Sequence, residues 1–285
     1  MPTMDLKTFA FLLLSLSAFA ANSVLCRLAL GTGQIDPASF TLVRIMSGAL
    51  TLGLILWLKN PRFLSQPGSR GSWGGALSLF VYALTFSYAY MTLSTATGAL
   101  ILFGTVQITM LLAAFVNGHK ILLLEVLGVL FAFVGMTYLM LPSVSTPSLF
   151  GFLLMFISGI AWGFYTLIGQ RSDAPLNDTG FNFIRCIPLV FIVLVSTVSH
   201  LQIQMYGVLL AALSGAVASG LGYAVWYRVL PKLSHSVAAV SQLIVPLIAA
   251  TGGLIWMAEV FTSRLLISSI LVLGGIGIVI YAKNK

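Results

Sequence analysis

The run Phe40-Thr41-Leu42-Val43-Arg44 returns, displaced by about half the chain, as Phe181-Asn182-Phe183-Ile184-Arg185. In both copies an arginine stands a turn or two inside a long apolar segment. A central arginine in a bilayer helix costs about 3 kcal/mol on insertion scales, so two at matched places need a cause. One cause is ordinary: each arginine snorkels toward headgroups from near a helix end. The other is that the pair marks equivalent points in two related halves of the chain.

The composition around these runs identifies the solvent. Of 285 residues, 59% are hydrophobic and 7% charged, with a mean hydropathy of +1.05. Soluble chains are about a quarter charged, so the predicted class is an all-α polytopic membrane protein. Apolar runs of about twenty residues, rather than alternating segments of about ten, exclude a β-barrel. The net charge of +8 would suit nucleic acid, but the basic residues lie in short loops, where membrane orientation accounts for them. Lys7, the run Phe9 to Leu16 and Ala18-Phe19-Ala20 imitate a cleavable signal peptide. The apolar run continues to Leu30, however, and reads as an uncleaved first span.

The apolar runs fall at 7–30, 37–58, 72–92, 95–116, 121–141, 148–170, 179–199, 205–228, 234–257 and 262–282, which predicts about ten helices. With the N-terminus inside, Lys7, Lys59, Arg62, Arg70, Lys120, Arg171, Arg228, Lys232, Lys283 and Lys285 face the cytoplasm. Little more than Arg27 and Arg264 remains outside, so both termini are predicted to be cytoplasmic. Cys26 and Cys186 then lie toward opposite faces and should not pair.

That topology gives the echo a geometric meaning. Five spans per half is an odd number, so the second half (143–285) must thread the membrane upside down relative to the first (1–142). Arg44 then lies toward the outer end of span 2 and Arg185 toward the inner end of span 7, as two inverted five-helix repeats require. Fainter echoes pair Tyr88 with Tyr227, Ala99 with Ala238 and Gly135 with Gly274. Gly159 and Gly163, and Ala211, Gly215 and Ser219, have the spacing of close helix contacts. Gly252-Gly253 and Gly274-Gly275 are alternative bending points.

These residues resemble the drug/metabolite transporter superfamily, in its EamA branch of paired five-helix repeats. The resemblance rests on Trp162-Gly163 in span 6, on Arg44 and Arg185 in the second helix of each half, and on the stretch from Ala238 through Pro246 to Glu259. The first half departs from the pattern, with Phe19 for a tryptophan, Gln107 for a proline and Lys120 for a glutamate. The resemblance implies an exporter of small metabolites, such as amino acids or their derivatives, in the bacterial inner membrane.

Polar groups at mid-span point to a path through the membrane. Asn22, Gln107 and Gln242 carry amides that need either a neighbouring helix or a hydrated cavity. Tyr82, Trp162, Tyr165 and Tyr223 sit deep in their spans rather than in the interfacial belt. Together these seven are the candidate solute contacts, on a path lined by spans 1, 3 and 4 and by spans 6, 8 and 9. Arg44 and Arg185 are expected to hold helix ends or to gate the two mouths. Trp73, Trp256 and Tyr281 read as interface anchors.

None of Asp5, Asp36, Glu125, Asp173, Asp178 and Glu259 falls at mid-membrane, which points to facilitated diffusion or exchange rather than ion coupling. His119, His200 and His235 stand at span ends and leave no membrane nucleophile with an obvious base, so an enzyme is not expected. Neither metal-ligand spacing nor a phosphate loop is present, and no cofactor is expected. The expected partners are a small solute and the lipid bilayer, without nucleic acid; the oligomeric state stays open, a monomer being one option. An organophosphate or nucleotide-sugar exchanger, with Arg44 and Arg185 as its cations, is the alternative; a channel or intramembrane enzyme ranks below it.

Overall fold

In hydrocarbon the backbone must satisfy its own N–H and C=O groups, so each apolar run has to coil. The computed structural model describes residues 5–62, 70–116, 122–141, 147–233 and 241–282. The helices are α1 (Leu6–Gly31), α2 (Pro37–Lys59), α3 (Trp73–Ala89), α4 (Thr95–Val116), α5 (Leu123–Leu139), α6 (Leu149–Gln170), α7 (Pro175–Ser196), α8 (Met205–Val229), α9 (Val245–Met257) and α10 (Ser263–Ala282). Among the described residues no strand forms beyond one bridge between Ile35 and Ile203. Seven of these helices are long and apolar enough to cross a membrane, and α5 and α9 are shorter apolar helices. His119, Lys120, His235, Ala238, Lys283 and Lys285, named above, lie outside the described residues.

Helix starts follow local chemistry. Asp36, Ser72 and Ser148 cap α2, α3 and α6 by accepting from Ser39, Gly75 and Gly151 amides at 2.9–3.0 Å. Helix α7 begins at Pro175 rather than at residue 179, because proline in the first turn needs no N–H partner. Glu125 lies in the first turn of α5, where its carboxylate accepts from the Leu122 amide at 2.8 Å. Helix α8 is continuous but changes pitch: Met205–Leu213 is α-helical, Ser214–Leu221 is a π-helix, and Gly222–Val229 is α-helical again.

The side-chain distribution is that of a protein in lipid. Leu50, Trp57, Phe133, Ile192 and Ile255 point outward, while Ser15, Asn22, Ser87, Thr105, Ser158 and Asn182 are buried. In water so broad an apolar surface would be an aggregation site; in a bilayer it is the solvated face. Trp73, Trp256 and Tyr281 are exposed near helix ends, as the interface reading expects.

Without a hydrophobic force between helices, contact depends on close backbone approach. A Cβ on Gly159 would come 2.6 Å from Thr105 Cβ, and one on Gly163 2.8 Å from Thr109 Cγ2, so the two glycines seat α6 on α4. Gly215 lies against the Arg44 carbonyl and the Ser47 hydroxyl, which seats α8 on α2. Further close pairs are α2 with α7, α5 with α10, α3 with both α6 and α7, α4 with α9, and α1 with both α8 and α9. Cys26 and Cys186 are buried, free thiols.

Candidate functional site

A cavity of about 950 Å³ opens among α4, α5, α6, α8 and α10, within the range of small-molecule sites. Its wall carries Phe19, Gln107, Trp162, Tyr165, Tyr223 and Gln242, and it reaches the α6–α7 turn at Ser172 and Pro175, where exposed Arg171 and Asp173 form its mouth. The mouth is therefore at the end of the bundle where α1 begins and α10 finishes. A smaller pocket of about 230 Å³ shares Tyr165, Arg171 and Asp173 and extends the mouth toward Gly71 and Asn182.

Trp162 is the hub of the aromatic wall. Its ring centroid stands 4.6 Å from Tyr82, 5.3 Å from Tyr165 and 5.5 Å from Tyr223, the last two stacked. Phe19 packs at 5.7 Å on Tyr223 and at 5.6 Å on Trp226. The Tyr165 hydroxyl donates to Thr179 Oγ1 at 3.0 Å, and Thr179 Oγ1 donates to the Tyr227 hydroxyl at 3.2 Å. These bonds direct phenol tips across the α6–α7–α8 seam and leave the ring faces to the cavity. Rings held in this way offer dispersion contact to a flat solute at low entropic cost.

The structure separates the other candidates. Asn22 is buried in the α1–α8 seam, where its Oδ1 accepts from Ser214 Oγ at 2.8 Å and Ser219 Oγ at 3.3 Å. Tyr82 stands one ring behind Trp162; its hydroxyl accepts from Arg44 Nη2 at 3.0 Å and its carbonyl accepts from Ser158 Oγ at 3.1 Å. Neither Asn22 nor any residue of α3 lines the cavity, whereas Gly128 and Ala132 of α5 and Ile276 and Ile280 of α10 do. Those positions lacked any polar signal in the sequence, and only their small or aliphatic character at the seam marks them.

The two arginines of the repeated run have unlike environments. Arg185 is half-buried, donates to the Arg70 carbonyl and lies 5.9 Å over the Trp73 ring. Beside it, Asp178 accepts from the Gly71 amide at 2.7 Å and Asn182 from the Ser72 amide at 3.0 Å, so α7 ties down the start of α3. Arg44 does not snorkel: it is 1% exposed, with its guanidinium 5.3 Å from the Tyr82 ring and 5.0 Å from Phe86.

The end opposite the mouth is closed. Arg27 pairs with Glu259 at 3.4 Å and donates to the carbonyls of Tyr90 and Met91 at 3.0 and 3.1 Å. The Glu259 carboxylate also accepts from the Thr95 amide at 2.9–3.0 Å, which caps α4. Nearby, Asp36 and Gln204 amides donate to Gln202 and Gln34 carbonyls at 2.8 Å, joining the α1–α2 and α7–α8 connections. The sequence brings Glu259 forward as the end of the stretch from Ala238 but does not pair it with Arg27, because the two are separated by most of the chain.

An apolar belt, polar side chains held inside the bundle and an aromatic cavity define a multi-pass membrane protein of the solute-handling kind. The EamA-like transporter family matches residues 6–141 and again 149–281. The chain belongs to this family. An uncharacterized protein of Pseudomonas aeruginosa is 45% identical over 276 residues, covering 97% of this chain and 95% of its own. The uncharacterized transporter YoaV of Bacillus subtilis is 20% identical over 263 residues, 86% of this chain and 88% of its own. A protein of Salmonella typhimurium described as a probable amino-acid metabolite efflux pump is 23% identical over 224 residues, 73% of this chain and 75% of its own. A crystal structure with a TM-score of 0.63 and 17% identity covers 95% of this chain and 98% of that one, which speaks for the fold alone.

Proposed function

We propose that the chain is a secondary transporter that exports small amphipathic metabolites, amino acids or their derivatives among them, by alternating access. The observation that carries this reading is the asymmetry of the bundle: an aromatic cavity open at one end and the Arg27–Glu259–Thr95 network closing the other. With both termini in the cytoplasm of a bacterial inner membrane, the state seen here faces inward, ready to load. Trp162, Tyr165, Tyr223, Gln107 and Gln242 contact the solute; Asn22 and Tyr82 support or complete that wall as the halves move.

The motion follows from two inverted five-helix repeats, residues 1–142 and 143–285. Two observations support them. The family matches each half separately. Most of the larger helix contacts also exchange in pairs when each helix is replaced by the one five places on: α3–α6 becomes α8–α1, α4–α6 becomes α9–α1, α3–α7 becomes α8–α2, and α2–α7 and α5–α10 are unchanged, whereas α4–α10 and α1–α4 have no comparable counterpart among the described residues. A bundle with that symmetry has a second arrangement, in which the closed end opens and the mouth closes. The same cavity would then face outward.

A carrier of this kind needs no covalent chemistry, and the relatives described as transporters support a non-enzymatic reading. The test is uptake into proteoliposomes of a panel of labelled amino acids and organic cations, with and without a pH gradient. Saturable uptake of at least one class, with apparent affinity weakened about tenfold by Trp162→Ala, is the expected result. Single-channel currents in a planar bilayer, or turnover of a lipid or peptide by the purified protein, would replace the carrier by a channel or an enzyme.

A further inference from the structure

The least compensated group in the described bundle is Arg44. A guanidinium carries five N–H donors, and here one of them, on Nη2, has a partner in the Tyr82 hydroxyl. Nε and Nη1 are buried without any hydrogen-bond partner. Among the described residues no carboxylate forms an ion pair with it, and Tyr82, Tyr223 and Cys26 are the ionisable side chains around it. The faces of Tyr82 and Phe86 offset part of the charge through their π electrons. Such contacts do not replace the hydrogen-bond acceptors that Nε and Nη1 lack. A buried cation left in this condition is costly, and such a site persists where something else supplies the missing partner for part of its working cycle.

We propose that this partner is the carboxylate of the transported solute. The inference rests on the transporter reading above and narrows it to aromatic or amphipathic monocarboxylates. Nη2 gives one of its two hydrogens to Tyr82, so one fork of the guanidinium, formed with either Nε or Nη1, stays open for a two-oxygen acceptor. The Tyr82 ring that backs the guanidinium lies 4.6 Å from Trp162, which lines the cavity, so the cation sits directly behind the aromatic wall. A solute with its ring against Trp162 and Tyr223 would direct its carboxylate toward Arg44 once Tyr82 and Trp162 part. Anchoring therefore belongs to the occluded or outward stage of the cycle. One buried cation balances one negative charge, which selects a carboxylate over a phosphate dianion.

The experiment compares N-acetylphenylalanine with N-acetylphenylalaninamide, which differ in the carboxylate alone, by uptake into proteoliposomes and by binding to protein in nanodiscs. Wild type is expected to favour the acid by about tenfold or more, the scale of a charge-assisted pair. Arg44→Gln should bring that ratio close to unity and Arg44→Lys should keep part of it. Equal handling of acid and amide by wild type overturns the inference while leaving the transporter reading in place. So does a preference that survives in Arg44→Gln. Competition by phenyl phosphate or chloride as strong as that by the acid overturns the monocarboxylate assignment. If wild type neither binds nor carries either probe, the inference falls, and the panel above decides the transporter reading separately. Should Arg44→Gln fail to fold, the wild-type ratio and the Lys variant still decide.

Discussion

At the scale of the residue, depth and chemistry nominate candidates, but only neighbours assign them. Trp162 touches three other rings and the cavity at once, so Trp162→Ala removes both dispersion area and the wall that orients the rest. We expect the apparent solute affinity in proteoliposome uptake to fall about tenfold, the worth of one well-placed aromatic contact. Gln107→Leu should lower flux as well, since it removes an amide from an otherwise apolar stretch of lining. If both variants transport like wild type, the site is misplaced. Asn22 makes the contrast. Its amide joins Ser214 and Ser219, and Asn22→Ala should cost about 1 kcal/mol of stability, read as a lower melting temperature in detergent. From sequence, Asn22 and Gln107 were indistinguishable: both are amides well inside a span. Which one faces a helix and which a cavity depends on rotation about the helix axis, and that is set by packing.

At the scale of the element, α8 and the closed end carry the consequences. The π-helical stretch Ser214–Leu221 widens α8 where Gly215 meets the backbone of α2 at Arg44. Pitch changes of this kind often mark places where a helix is put to use. Gly215→Leu cannot be accommodated without moving α2, and should destabilise the fold by about 1–3 kcal/mol, visible as a melting temperature several degrees lower. The closure formed by Arg27, Glu259 and Thr95 is weaker and adjustable. Glu259→Gln exchanges charge-assisted bonds for neutral ones and should shift the equilibrium toward opening by about 1 kcal/mol. In a Cys186→Ser background, Cys26 is the single thiol and is buried one residue from Arg27. Its labelling by an impermeant maleimide from the outer side should speed up about fivefold in Glu259→Gln. No change in rate would show that this network does not hold the end shut. Helix spans were legible because a bilayer leaves a twenty-residue apolar run a single option. The π-helix was not, since Ser, Gly and Ala tolerate either pitch.

At the scale of the whole molecule, the cavity mouth lies at the end where α1 starts and α10 stops, so sidedness and conformation are linked. If the positive-inside bias sets the orientation, a C-terminal fluorescent-protein fusion should fluoresce and an alkaline phosphatase fusion should stay inactive. The opposite pattern would make the open mouth face outward. The sequence by itself determined the all-helical membrane class, the seven longest apolar helices and the repeated run, because the costs of hydrophobicity, unmet backbone bonds and buried charge act locally along the chain. It also brought Trp162, Tyr165 and Tyr223 forward as a group, since aromatic rings away from the interface are conspicuous in any span. Only the tertiary structure decided that Glu259 meets Arg27 and that α5 and α10 wall the cavity, through positions such as Gly128, Ala132, Ile276 and Ile280 that carry no polar group. It alone separated Arg44, sealed behind the rings, from Arg185, resting on a carbonyl near the surface. Identical pentapeptide frames can end in different surroundings because a side chain's partners come from distant helices, and their rotation and spacing are fixed by packing rather than by any local run of residues.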